Sequence, residues 1–150
     1  TDPFVRAWSV NQPLTIREQL EMGVRYLDMR VGRDASRSSL ETGLRCCHGL
    51  YGATALSVVD AVEDFVRSQP TECVIVDFNH LYNMDEQCHE YFLNEIEKRL
   101  GGTLVSRDEW LRPLSELIAN NKRVFVIYHW QGKPTRTRKW VQHEDSIVNT

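Results

Sequence analysis

Two short apolar runs constrain this chain more than any other feature. Cys73-Val74-Ile75-Val76-Asp77-Phe78 and Val124-Phe125-Val126-Ile127-Tyr128 have strand length and are apolar at almost every position. A strand exposed on one face alternates; one apolar on both faces is covered on both. Between these runs lie helix-period segments. Leu56, Val59, Val62 and Val66 recur at spacings of three and four, as do Cys88, Tyr91, Phe92 and Ile96 before a stop at Gly101-Gly102. A shorter helix is predicted from Pro113 to Asn120. Strands alternating with helices predict an α/β architecture, with a parallel sheet flanked by helices. An open doubly wound sheet and a (β/α) barrel both fit. The chain has no Gly-x-Gly-x-x-Gly and no Walker loop, which weakens the nucleotide-binding versions.

The N-terminal third supplies another strand. Thr15 and Glu18 have capping-box spacing, and the helix they open is expected to stop at Gly23. Val24-Arg25-Tyr26-Leu27-Asp28-Met29-Arg30-Val31 then reads as a strand, followed by a polar loop from Gly32 to Gly43. Leu44 to Leu50 is a weaker strand leading into the Leu56 helix, and Asn83 with Glu86 has the spacing of a cap for the helix after it.

With 150 residues, 41% of them hydrophobic and 26% charged, one sizeable core is expected. A net charge of -3 argues against a nucleic-acid partner. No apolar run approaches the ~20 residues of a membrane span, and no signal-peptide pattern is present. Four cysteines, two of them adjacent, form no disulfide framework, which favours a reducing, cytoplasmic setting.

The first strand carries the chemistry. Side chains alternate along it, so Tyr26, Asp28 and Arg30 share one face and Leu27, Met29 and Val31 the other. In a barrel the polar face points inward, and its C-terminal mouth is where active sites form. A purely structural ion pair explains the same pattern. His48 stands at the end of the second strand, where an imidazole can exchange protons near neutral pH. A single histidine is more often a surface or core residue. Asp77 and Asn79 share a face at the end of the third strand, and His80 is read as the start of the next loop. None of the five histidines has zinc-site spacing, and Arg30 and Phe78 occupy positions where a carboxylate cage would need acids. A guanidinium matches phosphate oxygens with its planar fork, so Arg30 is the residue expected to do a cation's work. The basic stretch from Lys133 to Trp140 is read as a solvated loop; contact with an anionic lipid surface is the sharper alternative.

At these residues the chain resembles a known family. Trp8-Ser9-Val10-Asn11-Gln12, Glu18-Gln19-Leu20, Gly23 to Arg30, His48-Gly49-Leu50-Tyr51 and Glu72 to His80 resemble, in order, successive blocks of the phosphatidylinositol-specific phospholipase C X domain. The likeness is greatest to the small X-domain-containing proteins. It implies that residues 1–150 are part of a TIM-type barrel, incomplete at both ends, in a phosphodiesterase that cleaves inositol phospholipid at a membrane surface. In the family the inositol 2-hydroxyl attacks phosphorus, diacylglycerol leaves, and a cyclic inositol phosphate remains for water to open. One histidine is the base and a second, where His48 stands, is the acid. Asp28 and Arg30 match the Asp-x-Arg pair of metal-independent bacterial members, so no cofactor and no metal are expected. Asp77, Asn79 and Tyr128 are the expected substrate contacts. The first catalytic histidine is expected on a strand ahead of Trp8 and the later barrel strands after Thr150. On that expectation residues 1–150 alone are inactive, with unpaired sheet edges. Two other readings stay open: a non-catalytic module binding an inositol lipid or a protein, and a related barrel phosphodiesterase acting on a glycerophosphodiester or sphingolipid. The sequence names no protein partner.

Overall fold

The computed structural model describes residues 14–143; the Trp8 block lies outside them. The elements, in order, are α1 (Ile16–Glu21), β1 (Tyr26–Arg33), α2 (Leu40–Gly43), β2 (Leu44–His48), β3 (Leu50–Thr54), α3 (Ala55–Ser68), β4 (Val74–Tyr82), α4 (Glu86–Leu100), a 3-10 turn (Gly101–Thr103), α5 (Leu114–Ala119), β5 (Val124–Tyr128), α6 (Lys133–Arg136) and β6 (Val141–Gln142). Six strands form one sheet in the order β3-β2-β1-β4-β5-β6. β1, β4, β5 and β6 are parallel neighbours, as the apolar runs predict. β2 and β3 pair antiparallel at one edge.

The predicted caps and faces are largely present. Thr15 and Glu18 form the capping box, with Thr15 N–H donating to Glu18 Oε2 at 2.7 Å and Glu18 N–H to Thr15 Oγ1 at 3.3 Å. Gly23 follows α1 at φ 105°, a conformation that glycine adopts without a Cβ penalty. In α3, Leu56, Val59, Val62 and Val66 are all buried. In α4, Cys88, Phe92 and Ile96 are buried and Tyr91 is half-buried.

Leu27, Met29 and Val31 of β1, Val76 and Phe78 of β4, and Val126 and Tyr128 of β5 pack with α3 and α4 into the main core. Phe78 meets Phe92 edge-on, with ring centroids 5.0 Å apart. The other sheet face is covered at the strands' N-terminal end by a small cluster of Val105, Leu117 and Phe125, with Ile75 and Trp110 against it. Toward the C-terminal ends of β1 and β4 that face turns polar.

Four local expectations are corrected. The segment after Gly32 is not all loop: β1 continues to Arg33, and Ser39 caps the short α2. Leu44 to Leu50 is not one strand but the start of a hairpin, turning at Gly49 with φ 71°. β2 and β3 escape a pattern search because their residues are at best partly buried beyond Leu44. Asp85, not Asn83, caps α4, accepting from Cys88 N–H at 2.8 Å. The basic stretch is not a solvated loop. Pro134, Thr135, Arg138 and Trp140 are buried, and the Arg138 guanidinium donates to Glu90 at 2.9 Å and Asn94 at 2.5 Å on α4. A guanidinium packs inward where acids meet it, and those acids lie far earlier in the chain.

Candidate active site

Arg30 and His48 line one cleft of about 320 Å³ at the C-terminal end of β1. Arg30 comes from the exposed face of β1 and His48 from the last position of β2. The remaining wall includes Cys47, Leu50, Tyr51, Tyr82 and Asn83. The hairpin turn at Gly49 brings His48 and Tyr51 to the same opening. Tyr51 is held by its hydroxyl, which donates to the Arg33 carbonyl at 2.9 Å. Gly32 packs behind three of these lining residues. A Cβ there would lie 3.1 Å from Tyr51 Cε1 and 3.4 Å from both Cys47 Sγ and Tyr82 Cβ. Burial pushes the Cys47 thiol up, against a smaller opposing pull from Arg30.

One rung nearer the strands' start, Asp28 and Asp77 are register partners on β1 and β4. Asp28 is exposed, whereas Asp77 is buried at 6% exposure. The Tyr26 hydroxyl donates to Asp77 Oδ2, and His129 Nε2 lies 2.9 Å from Asp77 Oδ1. The bond to Asp77 pushes the Tyr26 hydroxyl up to about 12, with burial and the charges of Asp77 and Asp28 adding to it. A phenol held this firmly protonated donates to Asp77 across the neutral range.

Of the six expected site residues, Arg30 and His48 meet at the cleft. Asp28 and Asp77 share the sheet face beneath it, and Asn79 sits at a break in the β1–β4 register. Tyr128 is elsewhere. It is fully buried on the helical side, packed against Phe78, and its hydroxyl pairs with His89 Nδ1 at 2.9 Å. The strand's alternation explains it: Val124, Val126 and Tyr128 all face the main core. Phe78 faces that core too, so it does not stand at the mouth where a cation ligand would. The case for a guanidinium in place of a cation rests on Arg30. Among the described residues no three His, Cys, Asp or Glu side chains converge as a metal cage.

Sequence reasoning named neither Tyr82 nor His129 here, and read Asn83 as a helix cap and His80 as the start of a loop. β4 runs to Tyr82 rather than giving way to a loop at His80. No composition signal marks that continuation, although Tyr51 belongs to the His48-Gly49-Leu50-Tyr51 segment of the family resemblance.

A sheet parallel through β1, β4, β5 and β6, backed by helices and carrying an arginine–histidine cleft at its C-terminal end, defines the class as an α/β scaffold of (β/α)-barrel type. The chain matches the family model PI-PLC X 1 over residues 3–146 and belongs to the PI-PLC X domain family. It is 35% identical over 144 residues to PI-PLC X domain-containing protein 2 of Homo sapiens, covering 87% of this chain and 46% of that protein. It is 34% identical to the human PI-PLC X domain-containing protein 1, covering 85% and 39%. Among solved structures, a Staphylococcus aureus phosphatidylinositol-specific phospholipase C superposes with a TM-score of 0.63 at 18% identity, over 88% of this chain and 44% of that one. The Listeria monocytogenes enzyme gives 0.56 at 18% identity, over 77% and 40%. These likenesses make the sheet a segment of a TIM-type barrel, open among the described residues. The chain spans less than half the length of the relatives it matches. Among the described residues no helix is long and apolar enough to cross a membrane.

Proposed function

We propose that residues 1–150 carry part of the active site of a phosphoric diester hydrolase of phospholipase C type, acting on phosphatidylinositol-like lipids at a membrane surface. The observation that carries the reading is the shared cleft: Arg30 and His48 approach one cavity from different strands. In the reaction, the inositol 2-hydroxyl loses its proton to a base and forms a bond to phosphorus. The bond from phosphorus to the glycerol oxygen breaks, and that oxygen takes a proton from His48. Charge building on the phosphoryl oxygens is met by the Arg30 fork, a fixed cation aimed where charge develops. Asp28, on the same strand face, assists the proton-transfer apparatus, and Asp77 contacts the headgroup. The base is the histidine that the family places upstream of the Trp8 block. No step passes through a metal.

The test is phosphatidylinositol cleavage by the full-length protein, in EDTA and in calcium, beside His48→Ala. Activity that survives EDTA and falls about 10²–10⁴-fold in the variant is expected. Activity that requires calcium overturns the role given to Arg30. Vesicle binding without cleavage in either condition replaces the hydrolase with a binding module.

A further inference from the structure

The register of β1 against β4 breaks by one residue at the height of the cleft. Met29 pairs with Phe78, but the next residue of β1, Arg30, pairs with His80. Asn79 is the extra residue, and the ladder resumes with Val31 against Leu81 and Gly32 against Tyr82. In an unbroken ladder Asn79 would stand beside Arg30 and His80 would turn toward the helices. The extra residue reverses that alternation. His80 is accordingly exposed, and a bulge of this kind commonly re-aims a side chain beside an active site.

Asn79 then acquires a use of its own. Its Oδ1 lies against His80 Nδ1. With the amide oxygen assigned to the side facing the ring, the contact calls for a donor, which assigns the ring proton to Nδ1 and leaves Nε2 of the neutral imidazole as the acceptor. The ring is also fixed in orientation. It stacks on Tyr82, with centroids 5.8 Å apart and planes inclined by 23°, and Tyr82 lines the cleft with Arg30 and His48.

We infer that His80 is a headgroup-contacting residue of this site, its Nε2 accepting a hydrogen bond from a ring hydroxyl of a polyol whose phosphate is held by Arg30. The inference rests on the phosphodiesterase reading and names what that site recognises beside the phosphate. A bare ring nitrogen repels phosphate oxygens, which are themselves acceptors, and matches a hydroxyl, which donates. The two ends of this one rung therefore divide the ligand, with the phosphate at Arg30 and a hydroxyl at His80. His80 takes no proton in this role, and Asn79 acts through it as a positioning residue.

The experiment is a nitrogen-15 NMR titration of the full-length protein with myo-inositol 1-phosphate, and in parallel with inorganic phosphate. The His80 signals are assigned by their loss in His80→Gln. The expected result is that inositol 1-phosphate moves His80 Nε2, inorganic phosphate moves only the Arg30 signals, and Asn79→Leu scrambles the tautomer pattern of His80. In phosphatidylinositol cleavage, His80→Ala should raise KM about 5–10-fold, the worth of one hydrogen bond, with kcat within about threefold. A His80 Nε2 signal that stays still while Arg30 responds to inositol 1-phosphate overturns the inference and leaves the hydrolase reading standing. A collapse of kcat at unchanged KM also overturns it, in favour of proton transfer. If the wild type cleaves nothing, the hydrolase reading falls and the titration still decides the contact.

Discussion

Arg30 and His48 stand on separate strands of the sheet and line a single cleft, Arg30 from β1 and His48 from the end of β2 at the hairpin turn. Charge alone does not explain why an arginine is placed there. A lysine carries the same charge but lacks the planar fork that meets two phosphoryl oxygens at once. Arg30→Lys should therefore retain vesicle binding while kcat on phosphatidylinositol falls about 10²-fold, comparable to losing one donor at a developing oxyanion. Equal kcat in Lys and Arg forms would reduce the residue to a point charge.

Gly32 lies behind Tyr51, Cys47 and Tyr82 in the wall of the same cleft. An added methyl meets Tyr51 Cε1 at 3.1 Å, and Tyr51 cannot retreat freely because its hydroxyl is tied to the Arg33 carbonyl. Gly32→Val should narrow the cleft, raise KM for phosphatidylinositol about tenfold, and cost about 1–3 kcal/mol in stability through overpacking. Thermal unfolding and steady-state kinetics on the full-length variant separate the two effects. A lower stability with unchanged KM would place the substrate elsewhere.

The parts of this fold legible in sequence are those where burial writes a period. The β1 alternation placed Asp28 and Arg30 together and away from the core, and the α3 spacing named its buried face, because both elements separate apolar from polar side chains. The hairpin was not legible, because β2 and β3 bury little beyond Leu44 and leave no period to read. His80 is read from sequence as a loop residue, and even counted as strand its face is hidden by the bulge, because one unpaired residue inverts every position after it. Tyr128 is expected as a substrate contact on the resemblance alone, and its parity with Val124 and Val126 points it toward the helical core. The burial of Arg138 depended on acids of α4, which no local window contains.

His89 gives the fold an acid-sensitive joint outside the cleft. It is buried at 1% exposure, stacked on Trp130 with centroids 3.8 Å apart, and paired through Nδ1 with the Tyr128 hydroxyl. Burial lowers its pKa from 6.5 to about 4, against the opposing pull of Asp85. Above 6.5 the imidazole is neutral in both states and contributes no pH dependence. As pH falls from 6.5 toward 4 the unfolded chain takes up a proton that the folded one refuses, so stability drops through that window. At about 1.4 kcal/mol per pH unit the loss reaches roughly 2–3 kcal/mol. Urea unfolding of the wild type and His89→Gln between pH 7.5 and 4.5 should show the wild type losing the larger share. Parallel curves would mean that the buried ring accepts its proton without cost.

Arg138 is the clearest case of a charge whose surroundings decide its worth. Its side chain is 9% exposed, while its partners Glu90 and Glu97 are 48% and 53% exposed, at 2.9 Å and 3.6 Å. The cation is desolvated and the acids are not, so the effects of removing either acid should be unequal to the effect of removing both. Glu90→Gln leaves the guanidinium with Glu97, with Asn94 Oδ1 at 2.5 Å and with the Pro134 carbonyl at 2.5 Å, and should cost about 1 kcal/mol or less, as an exposed pair does. Glu90→Gln with Glu97→Gln leaves a buried cation facing only neutral acceptors and should cost about 3 kcal/mol, more than the two single changes together. Arg138→Met removes the charge and keeps the aliphatic packing, so it should restore much of that loss in the double-glutamine background. Urea denaturation of the full-length variants gives all four values. Additive single changes, or a methionine that deepens the loss, would show that Arg138 holds the α6 segment to α4 through its neutral hydrogen bonds rather than through its charge.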